Sequence, residues 1–125
     1  MGLGGLMVAA GGALGAAGRY GISLLPWRGE FPLLTLCTNF LGALAIGFVV
    51  GLAGPRRLSP SWTLFWKTGV CGGFTTFSTF SLESLTLLEK GRYLTGGLYM
   101  ALSVALCVVG VLAGQGLARA LMTPR

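Results

Sequence analysis

Four apolar runs, roughly residues 3–25, 33–54, 62–88 and 95–118, fill most of this 125-residue chain. Each is near or above the ~20 residues that an α-helix needs to cross a membrane. The second and fourth contain no charged residue. Charged residues make up 10% of the chain and the mean hydropathy is +0.79, values that place it among integral membrane proteins. The expected fold is therefore all-α, with four transmembrane helices in a single integral membrane domain spanning residues 1–125. The first run is too long for a signal-peptide core and has no basic leader, so it is expected to persist as a helix. Trp27, Trp62, Trp66, Tyr20 and Tyr93 fall near the proposed ends, where amphipathic rings favour the membrane interface.

One of the four runs carries an interruption. Gly69–Phe80 reads G-V-C-G-G-F-T-T-F-S-T-F. Paired glycines followed by paired threonines make a poor helix core and resemble a helix C-cap running into the N-cap of a second helix. Backbone freed from helical partners inside a bilayer must be buried in protein or line a cavity. Half-helix ends present bare carbonyls on one side and bare N–H groups on the other, which suits an ion. Phe77 and Phe80, spaced i, i+3, share one face just beyond the break.

The net charge of +6 raises the question of nucleic acid. The basic residues are spread over short loops and helix ends, so membrane anchoring accounts for most of them and no nucleic-acid partner is expected. Cys37, Cys71 and Cys107 fall one to a span, which argues for small packing residues rather than a disulfide framework. There is no His, and no Cys/His metal spacing. Three glycine pairs, Gly11/Gly15, Gly47/Gly51 and Gly110/Gly114, have the i, i+4 spacing that lets helix backbones approach closely.

Four spans put both termini on one side, together with Arg56, Arg57, Lys67, Arg119 and Arg125; the other side has Arg19, Arg28, Lys90 and Arg92. Orientation follows the Lys/Arg bias between sides, and here there is almost none. Insertion in both directions, giving an antiparallel homodimer about an axis in the membrane plane, is the expected outcome.

Polar residues within the spans cluster. Thr35, Thr38 and Asn39 share a face of the second; Thr95, Tyr99, Ser103 and Cys107 repeat every four residues in the fourth; Thr75, Thr76, Ser78 and Thr79 crowd the break. Interhelical hydrogen bonds, worth about 0.6 kcal/mol each, explain any one of these. Three polar faces in four helices point further, to a narrow polar path. The only acidic residues are Glu30, Glu83 and Glu89, whereas a cation pathway usually shows carboxylates. The remaining groups are neutral donors: hydroxyls, the Asn39 amide, and the positive ring edges of Phe77 and Phe80. Arg19, in the last third of the first span, either adds positive potential near an entrance or is structural. An uncharged, donor-rich path suits a small anion.

G-G-A-L-G-A-A-G-R-Y at Gly11–Tyr20, T-L-C-T-N-F-L-G at Thr35–Gly42 and the Gly69–Phe80 motif closely resemble the fluoride channels known as Fluc or CrcB, over essentially the whole chain. The resemblance implies an antiparallel, dual-topology homodimer in the inner or plasma membrane of a prokaryote, with two fluoride pores. It matches the family's phenylalanine pair to Phe77 and Phe80, its pore asparagine to Asn39, its polar track to Tyr99 and Ser103, and its vestibule arginine to Arg19. It also implies a structural sodium ion at the dimer axis, held by the main-chain carbonyls of Gly72 and Thr75, and at that break Gly72 is expected to have little room for a Cβ. In the family the polar track usually continues with hydroxyl residues; here those positions are Cys107 and Val111.

The runner-up is a small multidrug-resistance-type exporter, which needs a membrane carboxylate in its first helix to exchange protons; residues 3–25 contain none. A purely structural subunit would leave the break and the polar stripes unexplained.

Overall fold

The computed structural model describes residues 2–54 and 57–122. Arg56 and Arg125, two of the charges in the side-to-side count, lie outside the described residues. Helix α1 is Gly2–Ser23 and α2 is Leu33–Ala53. The third helical stretch is composite: α3 at Pro60–Thr63, a π-helical segment at Leu64–Cys71, and α4 at Gly72–Phe74. Helix α5 is Phe77–Glu89 and α6 is Tyr93–Met122. Among the described residues there is no strand.

Local chemistry sets several ends. Ser59 accepts the Trp62 N–H and Pro60 occupies the first turn of α3, where its missing donor costs nothing. At the other end of the molecule Gly91 adopts φ +76°, with Gly91 N–H donating to Leu88 O and Arg92 N–H to Leu87 O. That pair of bonds closes α5 in the left-handed manner that glycine permits.

The glycine pairs hold the helices together. A Cβ on Gly11 would overlap the Phe65 carbonyl and one on Gly15 the Val70 carbonyl, so α1 lies directly on the π segment. Likewise Gly47 faces the Val111 carbonyl and Gly114 the Leu44 carbonyl, pressing α2 against α6 in parallel. Lipid offers no hydrophobic drive between helices, so close backbone approach of this kind supplies the packing. The sequence pattern does not anticipate the π winding of Leu64–Cys71, nor Gly69 as a further contact, although a Cβ there would come within 2.9 Å of the Gly11 Cα.

Helices α2 and α6 are each long and apolar enough to cross a membrane, with a mean hydropathy of 2.1 in their most apolar stretch. Only 22% of that stretch in α6 is buried, which does not fit the core helix of a water-soluble fold. Its Leu94, Leu112 and Leu121 are all more than half exposed and call for lipid or another protein surface.

The glycines at the break behave differently from the sequence expectation. Gly72 has φ −64° and remains helical; the helix ends at Phe74, and the residue that leaves it is Thr75, at ψ 158°. Gly73, not Gly72, is the crowded one: a Cβ on Gly73 would meet the Gly12 carbonyl at 2.5 Å, whereas one on Gly72 finds only Lys67 O at 3.9 Å.

Candidate functional site

Two extended residues, Thr75 and Thr76, separate α4 from α5, and their hydrogen bonds explain how the chain tolerates the gap. Thr75 donates both its N–H (3.1 Å) and its Oγ1 hydrogen (2.9 Å) to the Cys71 carbonyl, finishing the last turn. Thr76 is held by one side chain. Asn39 Oδ1 accepts the Thr76 N–H at 2.8 Å, and Asn39 Nδ2 donates to the Thr76 carbonyl at 3.1 Å. A single amide thereby satisfies both polar groups of an extended residue, as backbone away from water requires. Thr76 Oγ1 then caps α5, accepting the Thr79 N–H and donating to Thr79 Oγ1, each at 3.1 Å.

This bonding diverts two donors. In a continuous helix the Thr76 N–H would close on the Gly72 carbonyl and the Thr79 N–H on the Thr75 carbonyl. Both go elsewhere, so the Gly72 and Thr75 oxygens lose their helical partners. The Gly73 carbonyl is taken by Arg19 Nε at 3.2 Å, because α1 runs parallel to the third stretch and brings Arg19 level with the gap.

Beside the gap lies a groove of about 440 Å³, with Asn39, Gly72, Thr75, Phe77, Phe80 and Ser103 among its walls and no charged side chain in its lining. Residues that the sequence scatters over three helices are thus brought to one place. The Phe77 and Phe80 rings sit 5.5 Å apart, tilted by 39°, and Phe77 is 79% exposed. Ser103 Oγ is buried without a hydrogen-bond partner among the described residues, an unusual state that suits a bound ion or water.

Three of the expected residues stand outside the lining. Tyr99 is fully buried behind Phe80, with ring centroids 5.2 Å apart, and its hydroxyl donates to Glu83 Oε1 at 2.9 Å. Phe31 closes over it edge-on at 5.5 Å, its carbonyl accepting from Trp27 Nε1. Thr79 supports the cap, and Arg19 bonds to the backbone of the break rather than the groove. Sequence reasoning missed Thr76 as the partner of Asn39, which no spacing rule connects. It also left Glu83 without a role, although Phe77, Phe80 and Glu83 share the i, i+3 spacing of one face.

Comparison with known proteins gives a consistent result. The family described as CrcB-like protein, Camphor Resistance (CrcB), matches residues 6–115. A "Fluoride-specific ion channel FluC" of Roseobacter denitrificans is 48% identical over 122 residues, covering 91% of this chain and 94% of its own. Proteins of the same name from Roseiflexus sp. and Clostridium novyi are 43% and 42% identical, covering 93% and 91% of this chain and 97% and 92% of their own. With a match of this extent over the helices that build the groove, the chain belongs to the CrcB family.

Proposed function

We propose that this chain is a fluoride-selective ion channel, a membrane protein and not an enzyme, which lets fluoride leave the cell passively and so limits its toxicity. The observation that carries the reading is the uncharged groove in which Asn39, Ser103 and the Phe77–Phe80 ring pair converge. Relatives named as fluoride channels support it. An anion leaving water needs donors in place of its hydration shell. Here they are the second Nδ2 hydrogen of Asn39, the Ser103 hydroxyl and the ring edges. Fluoride is a weak acid's anion: it enters acid-exposed cells as neutral HF, ionises, and is trapped until a path opens. Fluoride efflux from liposomes holding this protein alone, with chloride as control, tests the reading.

The chain is read as one four-span domain that pairs with an inverted copy in the inner membrane. Exposed Phe77 and Gly72 lie on the face left open for the partner. Sodium at the two-fold axis fits the Gly72 and Thr75 carbonyls, which have lost their helical donors; a hard cation there supplies positive charge against four such oxygens from two subunits. These residues would hold it through backbone; an ion kept there permanently is structural, so transport needs no sodium gradient. The exporter reading has no carboxylate in α1 to work with.

Gly72 separates subunit from assembly. Gly72→Ala is expected to leave each subunit folded, because no atom of its own chain obstructs the Cβ, yet to weaken the dimer. Gly73→Ala should destabilise the subunit itself by about 1–3 kcal/mol through overlap with Gly12. Size-exclusion profiles and melting of the two variants check this; a stable Gly72→Ala dimer would place Gly72 away from the axis.

A further inference from the structure

We propose that Cys107 is a binding site for soft, thiol-seeking metal cations, and that a metal held there closes the anion path; the second half rests on the fluoride reading above. Cys107 lines the same groove as Asn39, Phe77 and Phe80 and is partly exposed. Ser103 lies one turn before it on α6, on the same wall, and its Oγ is buried with no partner among the described residues. A second thiol, Cys71, lines the groove from the end of the π segment, though it is only 4% exposed. Cys37 is exposed but outside the groove. Sulfur is the one soft donor in a lining otherwise made of hydrocarbon, hydroxyl and amide, and soft cations select it over oxygen. Hydroxyl at position 107 would offer such a metal nothing.

Methylmercury chloride is a suitable probe because it needs only one sulfur. The S–Hg bond forms as the thiol proton passes to buffer and chloride leaves mercury, with no change of oxidation state. The neutral adduct blocks by bulk alone. Two proteins are compared in liposomes, C37S/C71S, which retains only Cys107, and C107S. Each efflux rate is read against the same protein's rate before the reagent, and intact mass counts the adducts.

The Cys107-only protein is expected to gain one adduct and lose at least about tenfold in efflux, recovered on adding excess dithiothreitol. C107S is expected to keep its starting rate in the reagent. A Cys107 that reacts only after denaturation would overturn the site, as would block of C107S to the same degree. An adduct without loss of efflux would overturn the closure. Were efflux absent before any reagent, the fluoride reading would fail by itself, and the adduct count in folded protein would still decide the site.

Discussion

Phe80→Ile and Phe77→Ile are each expected to lower fluoride efflux by at least about 100-fold, equivalent to roughly 2.7 kcal/mol on the barrier, while folding and assembly state stay as in the parent protein. Isoleucine approximates the apolar volume but has no ring edge to present to an anion. The two positions differ in what else they do. Phe77 is 79% exposed within its own chain and touches Phe80 at 5.5 Å, so its loss costs the subunit little. Phe80 also packs on Tyr99, at 5.2 Å, and its replacement should cost stability on the order of 1 kcal/mol. Electrode-measured efflux, alongside size-exclusion of the same samples, separates the two effects. A folded variant with the parent assembly state and wild-type flux would reduce the pair to packing.

Asn39→Asp is the second large effect. The substitution is nearly isosteric, and Oδ1 can still accept the Thr76 N–H. What changes is the other contact: an acceptor replaces Nδ2 and faces the Thr76 carbonyl, which it repels. The lost bond and the unsatisfied carbonyl should cost about 1–3 kcal/mol. Any negative charge on the aspartate also lies on the groove wall, where it repels an anion. Efflux is therefore expected to fall by about tenfold or more even in protein that remains assembled. Unchanged flux in folded protein would leave Asn39 as a clasp on the backbone and nothing else.

Much of this arrangement is written in residue spacing. Apolar run length places the four helical stretches, and the Thr-Thr pair marks the interruption. The small-residue pairs anticipate where α1 meets the π segment and where α2 meets α6. What escaped is what depends on neighbours distant in the chain. Spacing sets Tyr99, Ser103 and Cys107 on one face of α6, yet Phe31, Phe80 and Leu87 cover the first of them, and only the later two reach the groove. Arg19 meets Gly73 because α1 and the third stretch run parallel, a fact of packing. The roles of the adjacent glycines are also reversed by packing: Gly12 approaches Gly73 and leaves Gly72 open. The π winding of Leu64–Cys71 is rare enough that no residue pattern in the run announces it.

Passive conduction is the centre of the account. No carboxylate lines the groove, and Glu83, the acidic residue nearest in sequence to the ring pair, receives the Tyr99 hydroxyl instead. The most direct measurement uses purified protein in liposomes with a fluoride gradient, reading membrane potential and proton movement together. The account predicts a reversal potential at the fluoride equilibrium value, unaffected by a pH gradient and with no accompanying proton flux. A fixed ratio of protons to fluoride would contradict it and make Glu83 the group to examine as carrier.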